Sequence, residues 1–478
     1  MLRFFSLILL TLSFGGCTTL FRPLNQPLEK NTSSNGYYFQ HAHHGDTGEN
    51  VVLLAFSGGG TRAAALAYSV LKELRDTSIL AKGQRVPLLN EVDAISSVSG
   101  GSFTAAYYGL FGEKIFTDYE NVFLKQSIQE ILIQNLFDPV YWWRSISTGL
   151  DRTELAIEYY DNNIFNGKSF RDIDLAHRPF IEINATNLGT GTRFSFAQVY
   201  FDLLCSNLLD LKVARAVAAS SAVPIMFPPV VLKNYAGECD NSNNPIIHNL
   251  LTDKDEGPRM NEIKQRISHY QNRDKHPYVQ LLDGGIVDNL GLRAMADRLQ
   301  GFQSNFAAVI ARNKIKNIVV IEVNAETRPV HNVDETPDKP SIPETIEAFS
   351  NVQFRLLNNE SRILLASRLA ELQERLSANG EKVNVYSATV AFENVAGNAL
   401  KDQLNSIPTS LELPENEVDL LIRIGGDLLR QDPQYRAYLR QVEGRKESDP
   451  GTQVAPSSNG QTVHTAEKTA SKGPDSGS

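Results

Sequence analysis

Apolar positions in this chain fall into two patterns, short unbroken runs and longer stripes at helical spacing. Val51–Phe56 is an apolar run closed by glycines, which predicts a buried strand. Ala63–Leu74 follows it, rich in Ala and Leu with apolar residues at helical spacing, and predicts a helix. The strand-then-helix pattern recurs around Ser99. Further strand-like runs occur at Phe180–Ile183, Val279–Leu282 and Ile315–Val323. Such alternation over residues 50–330 predicts an α/β layer fold with a largely parallel sheet.

Beyond that body, Pro343–Asn379 reads as a long helix with Leu356, Leu357, Ile363, Leu364, Leu365 and Leu369 on its apolar face. Val383–Glu393 reads as a strand. Glu415–Leu439 reads as one or two helices, broken by Gly425-Gly426 and Pro433. These place a C-terminal helical extension at 331–443, packed on the core. Residues 237–276 turn polar and read as an insertion, partly helical from Met260 to Tyr270. From Gly444 to Ser478 there is no aromatic, Leu or Ile, so this tail cannot bury enough apolar area to fold.

The first residues form a separate pattern. Arg3 precedes a short apolar core, Phe4–Leu12, and small residues lead to Cys17, which predicts a signal peptide over 1–16. The core is too short to span a bilayer. Residues 17–49 are polar and hold Pro23, Pro27 and a Ser33–Gly36 turn, which predicts a tether. His41, His43 and His44 lie there without Cys or Glu at ligand spacing, and read as a solvated cluster.

Composition changes this picture little: 42% hydrophobic and 21% charged residues are ordinary for a globular body. The net charge of −9 with no basic run argues against nucleic acid as a partner and does not favour electrostatic binding to anionic lipid. Of three cysteines, Cys205 and Cys239 remain after Cys17. They read as a disulfide in an exported chain, with two buried thiols as the alternative.

The chemistry concentrates at three junctions. Gly58-Gly59-Gly60-Thr61-Arg62 joins a strand to a helix, where backbone N–H groups can converge on an oxyanion. It lacks the Lys-Ser/Thr of a P-loop, and its glycines are contiguous rather than spaced as in a dinucleotide site. Arg62, on the first helical turn, either braces the loop or adds positive potential. Ser97-Val98-Ser99-Gly100-Gly101 is a strand-to-helix turn of small residues, which exposes Ser99 beside a helix N-terminus. Asp283-Gly284-Gly285 ends an apolar run. Asp283 there is either a turn former or a base at a strand end.

In this order the three segments resemble the patatin-like phospholipases, with Ser97 where the elbow usually has Gly. Asn184–Leu188 and Ala218–Pro224 with Phe227-Pro228-Pro229 are weaker family-like stretches. The resemblance implies a three-layer α/β/α fold with a mostly parallel central sheet. It implies a serine acyl hydrolase acting on a lipid or other carboxylic ester, without metal or other cofactor. Ser99 would be the nucleophile and Asp283 the base, with Gly58, Gly59, Gly60 and Gly100 around the oxyanion. Cys17 after Gly15-Gly16 resembles a bacterial lipoprotein box. That implies acylation at Cys17 and a lipid-anchored place in the cell envelope. Thr18 beside it resembles lipoproteins sorted to the outer membrane, facing the periplasm. No protein partner is implied.

Two rivals stand beside this expectation. A catalytically silent lipoprotein could keep the fold as a lipid-binding scaffold. A Ser-His-Asp hydrolase would need His331, which reads instead as a loop histidine. Tyr107, Tyr108, Phe111, Phe123, Leu132, Ile133, Phe137, Tyr141, Trp142 and Trp143 form an apolar stretch, expected either to be core or to line an acyl pocket.

Overall fold

The computed structural model describes residues 25–28, 36–42, 48–81, 84–136, 150–224, 226–239, 244–252, 257–301, 315–328, 337, 339, 341–378, 380 and 382–443. The predicted signal peptide and Cys17, His43, His44, Phe137, Tyr141, Trp142, Trp143, His331 and the tail from Gly444 lie outside them.

The apolar runs become strands. β1 (Asn50–Phe56) leads through the glycine loop into α1 (Gly60–Asp76). A small hairpin, β2 (Ser78–Ala81) and β3 (Gln84–Pro87), precedes β4 (Val92–Val98), which turns into α2 (Gly100–Phe111). Next come α3 (Ile128–Leu136), β5 (Phe180–Asn187), β6 (Thr192–Phe196), α4 (Val213–Ser220) and β7 (Val230–Lys233). α5 (Pro258–Gln271) lies in the polar insertion and leads to β8 (Tyr278–Asp283), then α6 (Leu292–Gly301) and β9 (Asn317–Asn324). The C-terminal region supplies α7 (Ile342–Ala378), β10 (Asn384–Ala391), α8 (Glu415–Gln431) and α9 (Pro433–Glu443).

Eight strands make one sheet in the order β10-β9-β1-β4-β5-β8-β7, with β6 also paired to β5. The pairs from β10 through β5 are parallel; β5–β6, β5–β8 and β7–β8 are antiparallel. Every residue of β1, β4, β5 and β9 is buried, as expected when helices cover both faces of a parallel sheet. One group of helices (α1, α2, α4 and α8) and another (α6 and α7) flank the sheet, giving the expected α/β/α layering.

The C-terminal region is more than a helical extension. β10 completes the sheet by pairing with β9 along its whole length. The glycine pair Gly425-Gly426, expected to break a helix, lies inside continuous α8. It lets α8 approach α1: a Cβ on Gly425 would lie 2.7 Å from Ser69 Oγ. Ser69 Oγ donates to the Ile422 carbonyl and accepts from the Gly426 N–H at 2.7 Å. The chain breaks only at Asp432, whose carboxylate accepts from the Gln434 and Tyr435 N–H groups at 2.8 and 2.9 Å and caps α9.

The predicted tether also differs. Tyr37 is fully buried, stacked on Phe180 at 4.9 Å between ring centres, and its hydroxyl donates to the Ile181 carbonyl at 3.1 Å. Asn25 donates to the Lys233 carbonyl at 2.9 Å, and Pro27 bridges to Ser206. Aromatic area in Tyr37 and Tyr38 draws this stretch onto the body, so residues 25–28 and 36–42 are not a free linker. His41 bonds the Gly36 carbonyl at 2.9 Å. Cys205 and Cys239 form a disulfide beside this strap, with Cα atoms 5.5 Å apart. The insertion is packed too: Met260, Ile263, Ile267 and Tyr270 of α5 are buried. Tyr107, Tyr108 and Phe123 belong to the core, Phe111 is half-buried and Ile133 is exposed.

Candidate active site

Ser99 occupies the single residue between β4 and α2, with φ 50° and ψ −122°. A side chain at positive φ is strained, and such strain collects at functional turns. Close packing of two loops holds it there. Gly100 lies so near the Gly60 backbone that a Cβ would overlap the Gly60 carbonyl. The Gly101 N–H donates to the Ser57 carbonyl at 3.2 Å. Ser97, at the usual glycine position, fits because it is small and fully buried within β4. Its Oγ donates to the Glu182 carbonyl at 3.3 Å and accepts from Ser102 Oγ at 3.2 Å.

Asp283 is the last residue of β8, facing the end of β4 across β5. Ser99 Oγ donates to Asp283 Oδ2 at 2.8 Å, and the Gly285 N–H donates to Oδ1 at 2.7 Å. Both residues are nearly enclosed, Ser99 at 7% and Asp283 at 9% exposure. Burial pushes the Asp283 carboxyl up to about 6, against the pull of the Gly285 amide and the Ser99 hydroxyl. It meets no cation within ion-pair distance among the described residues. The result is a carboxylate ionised near neutral pH yet more basic than an ordinary one.

The glycine loop lies against the same turn, with a Cβ on Gly58 reaching within 3.3 Å of Ser99 Cβ. The three glycines are not equivalent. The Gly58 N–H donates to the Asn289 carbonyl at 2.9 Å, so Gly58 offers closeness rather than a free donor, unlike the expectation for it. The N–H groups of Gly59, Gly60 and Gly100 donate to no acceptor among the described residues. Arg62 does not point outward. It is 3% exposed and donates from Nε to the Ala325 carbonyl at 2.9 Å, from Nη1 to the Ile407 carbonyl and from Nη2 to Thr409 Oγ1 at 3.0 Å. Burial pulls its guanidinium down to about 10, which leaves it charged at neutral pH.

Sequence reasoning missed the residues under the elbow. Ser220, at the end of α4, accepts the Ser99 N–H at 2.9 Å and donates to the Asn184 carbonyl at 2.6 Å. Asn184 in turn donates to Ser96 Oγ at 3.0 Å and the Ser97 carbonyl at 3.2 Å. Asn289 accepts from the glycine loop. Ser220 and Asn184 sat in stretches already noted, but no periodicity says which hydroxyl turns toward the elbow. No group of three or more His, Cys, Asp or Glu that could hold a metal occurs among the described residues.

The fold and site define an α/β protein with a serine and a carboxylate joined at the carboxyl ends of its strands, next to a glycine loop. A family model described as patatin-like phospholipase matches residues 54–296. The chain belongs to that family. No match was found among curated proteins. Similar solved structures include two of one human enzyme. Human GIVD cytosolic phospholipase A2 is 13% identical at TM-score 0.44 over 83% of this chain. The same human enzyme in complex with methyl gamma-linolenyl fluorophosphonate is 11% identical at TM-score 0.38, also over 83% of this chain. The chain spans 63% and 60% of the length of these two.

Proposed function

We propose that the protein hydrolyses carboxylic esters of lipids by a Ser99–Asp283 dyad. The observation that carries this reading is the 2.8 Å hydrogen bond from Ser99 Oγ to Asp283 Oδ2 at a strained, nearly enclosed turn. Ser99 Oγ attacks the ester carbonyl carbon while its proton passes to Asp283. The tetrahedral oxyanion is held by the N–H groups of Gly59, Gly60 and Gly100, each such donor typically worth about 2.7–4 kcal/mol. As the intermediate collapses, the carbon–oxygen bond to the alcohol breaks and Asp283 returns its proton to that oxygen. Water then adds to the acyl-serine with Asp283 again as base, releasing the acid and restoring Ser99.

The disulfide and the sequence around Cys17 support an exported, lipid-anchored protein, and we propose that placement with it. No helix among the described residues is long and apolar enough to cross a membrane. Metabolic labelling with an alkyne fatty acid tests the anchor: label on wild type and none on Cys17→Ser is the expected result.

The activity is tested with a fluorophosphonate probe and short-chain p-nitrophenyl esters on protein lacking residues 1–17. Wild type should label and turn over, while Ser99→Ala and Asp283→Asn should do neither at a comparable rate. A folded wild type that fails on soluble esters and on lipid vesicles alike would favour the scaffold alternative.

A further inference from the structure

The glycine loop is gripped by chain that lies beyond the family match. Ser57 Oγ accepts the Ala325 N–H at 2.9 Å, and Arg62 donates back to the Ala325 carbonyl. On the other side the Thr61 N–H donates to the Ser410 carbonyl at 2.8 Å. Gly60 has φ +60°, and a Cβ there would run into that same Ser410 carbonyl. Arg62 adds its bonds to the Ile407 carbonyl and Thr409 Oγ1. The turn at Ser410 is itself fixed by Gln129 of α3. Gln129 Oε1 accepts from Ser410 Oγ at 2.9 Å, and Ser410 Oγ accepts from the Glu412 N–H at 3.0 Å.

We propose that the segment Ile407–Ser410, registered by Gln129, is the positioning element that sets the Gly59 and Gly60 N–H groups relative to Ser99. None of its residues touches the reacting atoms; it acts through the loop. Arg62 meets no carboxylate within ion-pair distance among the described residues, only carbonyl and hydroxyl acceptors. Its donors fit a clamp on backbone rather than a surface charge. Oxyanion donors work over a few tenths of an ångström, and a misplacement of about 1 Å can cost 100-fold in rate. Because the catalytic strands and helices precede residue 300, the proposal assigns the C-terminal region a share in catalysis beyond covering the sheet.

This inference rests on the hydrolase reading, and two measurements keep them apart. In the chain lacking residues 1–17, Thr409→Val removes one acceptor of Arg62 and Thr409→Ser keeps it. Gln129→Met releases the Ser410 turn. The expected result is a kcat lower by about 10-fold in Thr409→Val and Gln129→Met, with KM within about twofold and activity restored in Thr409→Ser. Amide hydrogen exchange at Thr61, whose N–H the Ser410 carbonyl holds, should quicken in the first two variants and not in the third, with the rest of the body unchanged. Unchanged exchange at the loop overturns the proposal, as does a loss of kcat that Thr409→Ser shares with Thr409→Val. If wild type turns over no ester, the hydrolase reading fails, and the exchange pattern alone then decides whether the segment positions the loop.

Discussion

Asp283 and Asp297 are both enclosed aspartates close together in the chain, yet their surroundings give them opposite chemistry. Asp297, on α6, accepts from Arg193 at 2.8 Å and from Arg259 at 2.6 Å, with Arg266 3.7 Å away. Burial alone would raise its carboxyl, but the three guanidiniums outweigh that and hold it well below the usual range. Arg193 continues to Glu182, which also pairs with Arg298, so the network crosses from α5 and α6 to β5. Among the described residues the Asp283 carboxylate meets only a hydroxyl and an amide, and burial raises it to about 6. Equal burial therefore does not decide what an acid can do. A carboxylate matched to arginines stays ionised and inert as a base, whereas one left with neutral donors keeps an affinity for a proton near neutral pH.

The largest effect expected is at the proposed nucleophile. Ser99→Ala should lower ester turnover by about 10⁴-fold or more, read as initial rate, with thermal stability little changed. The paired side breaks differently. Arg193→Met leaves Glu182 and Asp297 short of a buried partner and should cost about 3–5 kcal/mol in urea unfolding. The midpoint of its pH–rate profile should stay where wild type has it, because Asp283 lies outside that network; a shifted midpoint would join the two regions and break the comparison.

The unpaired side should show a trade of stability for activity. The folded pKa of Asp283 lies above its unfolded value of about 3.9, so the folded state binds more protons between pH 4 and 6. Stability is therefore lost as pH rises through that window, and the loss is complete above it. Asp283→Asn removes a burden of at most about 3 kcal/mol, taking 1.36 kcal/mol per pKa unit, and should melt higher than wild type at pH 8 but not at pH 4. Asp288, also raised to about 6 by burial, adds to the same slope in both proteins. The smallest effect is the pH dependence of wild-type turnover. Below pH 6 it should fall toward tenfold per unit as Asp283 takes up its proton, with no acid limb assignable to His331. His331→Ala should leave that curve unchanged.

Most of this was legible in the chain. Val51–Phe56 and Phe180–Ile183 announce buried strands because both faces of a parallel sheet demand apolar residues. The three small-residue junctions point to Ser99, Asp283 and the glycine loop only when taken together in this order, since each alone also reads as a plain turn. What stayed hidden depends on partners distant in sequence. Gly425-Gly426 looks like a break until Ser69 is known to sit opposite. Tyr37 looks like tether until the Ile181 backbone meets its hydroxyl. Arg62 left two roles open because its acceptors at Ala325, Ile407 and Thr409 are set by the return of the chain. Asp297 gave no sign of itself, since the three guanidiniums that surround it come from β6 and α5, elements distant in sequence from each other and from it.

The strand order carries a consequence for how the molecule comes into being. β1 is flanked by β4, made soon after it, and by β9, whose Asn317 stands 267 positions from its partner Asn50. During synthesis the apolar edge Val51–Phe56 has no neighbour on that side until two thirds of the chain exists. Pairing of such distant segments is slow, and a bare hydrophobic edge is a template for aggregation. A fragment ending where the family match ends would keep that edge open permanently, so it should be recovered in the insoluble fraction while the chain through Glu443 is soluble.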